Sequence, residues 1–466
     1  MMILETIIKN NISLNSPYWL QELAGNFYLC YINLLDLMNI RHLKFRRFLA
    51  TSQWSPRWKL EQYQAKKLKQ LLRYVYKNVP YYKEVFEKNN LTPNDFETIS
   101  DLRKLPILTK EDVIKNFDKL ISRKINKKYL ELAATSGSTG KPMQFYRDKR
   151  DEAIHFTFSR RAFSSINVNG FHRKTYIWLT PFIEKGIKEI YFYEPHLKRL
   201  SLSPFFQSLS LLDEYIKFIK QFKPKIICGS PSLLYHLACY IQENCINDIN
   251  FKCVVSYFEN LFPYQREMIE KQFRCKVYSY YISQERVLSA FECLNQDGMH
   301  IDMERGIVEI IGDNGEVLPE GYSGRITATG LHNFVMPFIR YDTGDIGSIS
   351  EVLCLCGRGL PLLKSIDGRT CEVIKYKDKY INSSALSVIV RLFKNIKECQ
   401  FVQEKEDELI LNIVKRRDYL ENDTQELIKI LRKTIDERLN IVIRFLDYIP
   451  RTKMGKFPLV VSKIKP

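Results

Sequence analysis

Apolar and polar positions alternate along the chain in two rhythms. Residues 56–90, which include "PRWKLEQYQAKKLKQLLRYVYKNV", gather their charges on one side. This predicts a helix that Pro80 ends. "DLRKLPILTKEDVIKNF" (101–117) predicts a turn and then a helix capped by Thr109, with Glu111 and Asp112 in its first turn. From about residue 175 the rhythm changes. "TYIWLT", "PKIICGS" and "CKVYSYY" have the pattern of short strands, and "SLLYHLACYIQEN" and "YQREMIEKQF" that of helices. Such alternation predicts an α/β fold with a largely parallel sheet.

Between 300 and 350 strands predominate, with turns at "GDNGE" and "PEGYSG". After "IDGR" (366–369) come two strand patterns, "ECQFVQE" and "ELILNIV", the helix pattern "ENDTQELIKILRKTIDERL", and then "IVIRFLDYIP". The expected organisation is a large N-terminal α/β domain over 1–366, mainly helical in 1–100, and a small α+β domain over 367–466. A length of 466 residues suits two or three domains.

Charge and cysteine content narrow the setting. Net charge is +18, which favours acidic partners such as nucleotides or an anionic surface. No nucleic-acid motif accompanies it, so specific nucleic-acid binding is not expected. Residues 41–73 hold ten Lys/Arg against the single acid Glu61, interleaved with Phe45, Phe48, Trp54 and Trp58. That stretch fits peripheral contact with an anionic bilayer and a solvated basic helix equally well. "NFYLCYINLLDLMNI" (26–40), broken by Asp36, is the most apolar segment and reads as a packed or interfacial helix. No run reaches the length needed to span a bilayer. Eleven scattered cysteines and a polar start, "MMILETIIKNN", lead to the expectation of a reducing, cytoplasmic setting.

The candidate chemistry begins at "TSGSTGKP" (135–142). Ser136, Gly137, Ser138, Thr139, Gly140 and Lys141 supply amides, hydroxyls and an ammonium suited to phosphate. The loop is not a Walker A motif. Thr135 stands where its first glycine belongs, and Pro142 where its Ser/Thr belongs. "MQFYRD" follows as a strand, so the loop is expected between two strands. Alone it reads equally as a polar hairpin. Downstream, "RYDTGDIG" (340–347) puts Asp342 and Asp345 in a glycine-containing turn, where a carboxylate can accept ribose hydroxyls. "IDGR" (366–369) follows, and "IPRTKMGKFP" (449–458) presents a lysine beside Gly455.

These four motifs, in this order, resemble those of the adenylate-forming enzymes, and more closely the phenylacetate–CoA ligase branch with its CapK-type capsule-locus relatives. The resemblance runs from about residue 55 to the end. It implies an AMP-forming ligase that uses ATP and Mg²⁺ to activate a carboxylic acid and passes the acyl group to coenzyme A or an amine. A different class, a non-catalytic scaffold in a membrane-associated polysaccharide assembly, remains open at this stage.

Carried over by position, Ser136 to Lys141 would hold the β/γ-phosphates and Glu285 of "YYISQE" would hold magnesium. Tyr281 and Glu259 would lie by the nucleotide, Asp345 would bind ribose with Arg369 in support, and Lys456 would act in adenylation. Phe258, Ile282 and Gln284 depart from the family's small residues, on the adenine and acyl side. Separately, Cys354 and Cys356 of "CLCGR", with Cys293 and His300, read as a Cys₃His zinc set or as free thiols.

Overall fold

The computed structural model describes residues 2–38, 40–134, 143–178, 189–203, 209–369, 373–376, 379–382, 386, 389–390, 393, 395–451 and 457–464. The chain opens with helices α1 (Met2–Asn11), α2 (Tyr18–Met38), α3 (Ile40–Ser52), α4 (Arg57–Asn78), α5 (Pro80–Lys88) and α6 (Lys110–Lys115). The helix expected over 56–90 is therefore two. Val79 is extended, as a residue preceding proline prefers, and Pro80 opens α5 at a position where its missing N–H costs nothing. Thr109 caps α6 as expected: its hydroxyl accepts from Asp112 N, and the Asp112 carboxylate accepts from Thr109 N.

β1 (Glu131–Ala134) and β2 (Gln144–Arg147) form an antiparallel pair, followed by α7 (Lys149–Ser165). Then come β3 (Lys174–Ile177), β4 (Tyr191–Glu194), β5 (Arg199–Leu202), α8 (Leu209–Phe222), β6 (Ile226–Gly229), α9 (Pro231–Glu243), β7 (Cys253–Ser256), α10 (Pro263–Phe273) and β8 (Val277–Ile282). Strands β9 (Ser289–Glu292), β10 (Met299–Ile301), β11 (Gly306–Ile311), β12 (Ser323–Gly330), β13 (Tyr341–Ile349) and β14 (Leu362–Arg369) complete this part.

Among the described residues, twelve of these strands form one sheet in the order β11-β12-β13-β14-β10-β9-β8-β7-β6-β3-β5-β4. β5, β3, β6, β7 and β8 run parallel, and antiparallel pairing takes over at β8–β9. The fully buried Leu71, Leu72 and Val75 of α4 pack in one core with Phe145 and Ile326. A second core lies on the parallel half around Val254, Leu234, Leu237 and Ile269.

Two contacts fix the approach to β13. The Tyr82 hydroxyl of α5 donates to Pro337 O and accepts from Ile339 N, both at 2.9 Å. Leu108 N donates to Arg340 O at 2.9 Å, and Asp342 N to Leu108 O at 3.0 Å.

The small unit comprises β15 (Val373–Tyr376), β16 (Lys379–Asn382), β17 (Ile396–Lys405), β18 (Glu408–Lys415), α11 (Glu421–Thr434), β19 (Asn440–Phe445) and β20 (Val460–Ser462). Its four-stranded sheet has the order β19-β18-β17-β20. The helix expected through Leu439 stops at Thr434. The domain boundary expected after residue 366 falls inside β14.

Candidate active site

The ends of parallel strands β7 and β8 carry Glu259, Tyr281 and Glu285, and the antiparallel strand β13 carries Asp345. Ala134 pairs with Gln144, so the phosphate-type loop does join two antiparallel strands. Ser136, Gly137, Ser138, Thr139, Gly140 and Lys141 themselves lie outside the described residues. The loop's far end is held in place. Met143 is buried, and its Sδ lies 3.6 Å from the Tyr341 hydroxyl.

Tyr341 opens β13 and donates to Glu285 Oε1 at 2.9 Å. Burial, reinforced by Glu285, pushes the Tyr341 phenol well above its ordinary pKa, so the proton stays on tyrosine and the carboxylate accepts. Glu285 is in the turn after β8. That turn is closed by Ser283, whose N–H donates to Leu288 O at 3.1 Å while its hydroxyl accepts from Leu288 N at 3.2 Å. On the same strand end, the Tyr281 hydroxyl donates to Asp345 Oδ2 at 2.6 Å. Burial, and then Asp345, raise the Tyr281 phenol in the same way. A buried phenol and a half-buried one thus orient the two carboxylates expected at magnesium and ribose.

Asp342 has a different task. Its carboxylate accepts from Gly344 N at 2.9 Å and from Arg325 Nη1 at 3.0 Å, which shapes the turn. Gly344 has φ +75°, a conformation that favours glycine. Asp345 pairs across the ladder with Arg369, whose side chain is outside the described residues.

Glu259 follows β7 and caps α9. Its carboxylate accepts from Ser232 N and Ser232 Oγ, both at 3.1 Å, an arrangement that the helix N-terminus favours. It also accepts from Phe457 N at 3.2 Å. Phe457 directly follows Lys456, which lies outside the described residues. Glu259 therefore joins the parallel-strand edge to the C-terminal loop that carries the candidate lysine. Phe258 before it takes φ +72° and is exposed. Beside these residues a cleft of 520 Å³ is lined by Tyr235, His236, Tyr264, Glu398, Arg451 and Phe457. Glu398 Oε1 accepts from Arg451 Nη2 at 2.7 Å and lies 2.6 Å from His236 Nε2, a link from small unit to large.

The cysteine–histidine set also comes together. Cys293, His300, Cys354 and Cys356 place their ligand atoms within 4.8 Å of one another. Cys293 Sγ is 3.6 Å from Cys354 Sγ, and Cys356 Sγ is 3.3 Å from His300 Nε2. A disulfide needs about 2.05 Å. Zinc–sulfur bonds of about 2.3 Å in a tetrahedral site set neighbouring sulfurs about 3.8 Å apart, so the donor set fits that ion. Burial, and then Arg358, lower the His300 pKa to about 4, leaving the imidazole neutral at pH 7, as a ligand must be.

Motif reading passed over Tyr341, although it lies within "RYDTGD". It also passed over Ser232, His236, Glu398 and Arg451, whose roles arise from pairings between distant segments.

A CapK C-terminal domain model matches residues 373–463. Protein CapK of Staphylococcus aureus is 28% identical over 418 residues, which cover 86% of this chain and 89% of that one. Phenylacetate-coenzyme A ligase of Thermus thermophilus is 24% identical over 325 residues, covering 68% and 72%. Among solved structures, 2-hydroxyisobutyryl-CoA ligase in its postadenylation state overlays with a TM-score of 0.72 at 17% identity, over 88% of this chain and 91% of that one. That overlay speaks for the fold. With a small domain that matches the CapK C-terminal model and relatives that each span most of its length, the chain is similar to the CapK and phenylacetate–coenzyme A ligase branch of the adenylate-forming enzymes.

Proposed function

We propose that the protein is an AMP-forming ligase. The observation that carries this reading is the presentation of Glu285 and Asp345 by Tyr341 and Tyr281 at one sheet edge, with the phosphate-type loop leading into Tyr341 through Met143. A carboxylate oxygen of the acid attacks the α-phosphorus of ATP. The new acyl–O–P bond forms as the α–β phosphoanhydride breaks, and pyrophosphate leaves. Negative charge builds on the phosphates, and Ser136–Lys141 and Lys456 are the groups placed by sequence to take it up. Magnesium carried with ATP supplies further neutralisation, and Glu285 is the carboxylate suited to hold it.

In the second half-reaction a thiol or amine attacks the acyl carbon and AMP departs. The contacts of Glu259 and His236 with the small unit are those that must release if it rotates about the segment near Asp367 between half-reactions. Coenzyme A or an amine is the acceptor. The likeness to CapK supports a place in capsule or surface polysaccharide synthesis, on the cytoplasmic side where ATP is available. Mass spectrometry of the protein incubated with Mg·ATP and a panel of carboxylic acids tests the reading. An acyl-adenylate should accumulate with one class of acid and disappear when its acceptor is added. Tight Mg·ATP binding with no adenylate from any acid would instead favour the scaffold.

The Cys₃His set is proposed to hold a structural zinc ion. Four protein donors leave no open position for chemistry. The ion would tie the end of β9, β10 and the loop before β14 together on the sheet that carries the site.

A further inference from the structure

α2 is amphipathic the wrong way round. Its polar side chains face the protein. Gln21 Nε2 donates to Leu14 O and Ser16 O, at 3.0 and 2.7 Å, and its Oε1 accepts from Arg173 and Tyr193. Glu22 pairs with Arg173 and Lys198, each at 2.6 Å. Asn26 accepts from Lys198 at 3.0 Å, and Asn33 from Arg160 at 2.8 Å. Gly25 lets the helix approach closely; a Cβ there would meet Pro195 O at 2.9 Å.

The opposite face is apolar and open. Trp19, Leu23, Phe27 and Leu34 are 65%, 62%, 61% and 56% exposed, and Cys30 between them is exposed too. At about 100° per residue these five positions fall within an arc of roughly 80°, and they run for about 22 Å along the axis. No charged residue interrupts the stripe. An ordinary surface helix turns such a face to the core.

The surroundings are basic. α2 leads directly into α3, where Lys44 and Arg47 are exposed, and then to the exposed Trp54, Trp58 and Lys59. No helix among the described residues is long and apolar enough to cross a membrane. A second copy of a chain with net charge +18 would meet like charge along this flank, whereas anionic lipid meets opposite charge. Tryptophans beside lysines and arginines suit the headgroup level.

We propose that α2 lies in the plane of an anionic bilayer surface, with Trp19, Leu23, Phe27 and Leu34 inserted below the headgroups and Lys44 and Arg47 of α3 and Lys59 of α4 against lipid phosphates. The helix binds along the surface and does not span it. This places the ligase at a membrane independently of what it activates.

The test is co-sedimentation of the full chain with phosphatidylcholine vesicles, with and without 30% phosphatidylglycerol. The wild type should bind the anionic vesicles and release as salt rises. Leu23→Glu/Phe27→Glu should lower the partition coefficient about a hundredfold or more, since each exchange removes roughly a tenfold or greater apolar contribution. Its thermal midpoint should stay unchanged, because both side chains are solvent-exposed in the free protein. Lys44→Glu/Arg47→Glu should abolish the preference for phosphatidylglycerol. Should the double glutamate variant fold poorly, quenching by brominated lipid decides: it should fall in Trp19→Phe. Absence of vesicle binding by the wild type, or binding that survives Leu23→Glu/Phe27→Glu, would overturn the proposal. So would a concentration-dependent dimer that the glutamate variant dissolves.

Discussion

Arg161→Met should destabilise the protein by about 3–5 kcal/mol near neutral pH, the range for removing one partner of a buried ion pair. Arg161, on α7, donates to both carboxylate oxygens of Glu304, at 2.8 and 2.9 Å, and pairs with Asp302. All three side chains are almost completely buried. Ser52 from α3 also donates to Glu304, Ser289 from β9 to Asp302, and Gln64 from α4 to the neighbouring Met303 O and Gly306 O. Loss of the guanidinium leaves two carboxylates in the interior with Arg305 as the remaining nearby cation. Burial raises the Asp302 pKa even in the intact cluster, where Arg161 and Arg305 oppose it. Burial also raises Glu304, but Arg161 and Ser52 outweigh it and leave the pKa lowered. Without Arg161 both carboxyls move upward. A raised carboxyl costs stability above its unfolded pKa and costs nothing once both states are protonated. The deficit should therefore be largest at pH 7.5 and shrink towards pH 5. Urea unfolding of both proteins at the two pH values reads it directly. A deficit under about 1 kcal/mol, equal at both pH values, would refute the account of this cluster.

Tyr341→Phe removes the donor to Glu285; it should cost about 1.5–3 kcal/mol of stability and raise the Mg²⁺ concentration needed for half-maximal adenylation, read in a magnesium titration. Metal analysis of the purified protein should find one zinc per chain, and Cys354→Ser/Cys356→Ser should abolish it and lower the thermal midpoint. Burial raises the Glu398 pKa, but His236 and Arg451 outweigh it and hold it at about 2. A depressed carboxylate contributes fully above its unfolded pKa near 4.5, and the contribution is lost as pH falls towards 2. Glu398→Gln should therefore loosen the small unit at pH 7, seen as faster proteolysis near residue 370, and the difference from wild type should narrow below pH 4.5.

Local signals were readable from the sequence and long-range ones were not. The Thr109 cap, the break at Pro80 and the loop between two strands each depend on a few neighbouring residues, and the structure has all three. The order of the twelve strands depends on pairings between distant segments. Cys293, His300 and Cys354 could be grouped by residue type, but their meeting could not be read. They meet because β9, β10 and β14 are neighbours, which no spacing rule reports. The segment 26–40 read as packed or interfacial, yet only Lys198 and Arg160, far along the chain, decide that Asn26 and Asn33 face inward. Glu259 is a candidate site residue by resemblance alone. Its bonds to Ser232 and Phe457 required the fold.

ATP–pyrophosphate exchange, with purified protein, Mg²⁺ and a broad panel of carboxylic acids, tests the central claim most directly. Exchange should depend on one class of acid and fall by about 10²–10³ in Lys456→Ala, as for loss of a contact to developing charge. Acid-dependent exchange that persists undiminished in Lys456→Ala, or no exchange with any acid despite Mg·ATP binding, would contradict it.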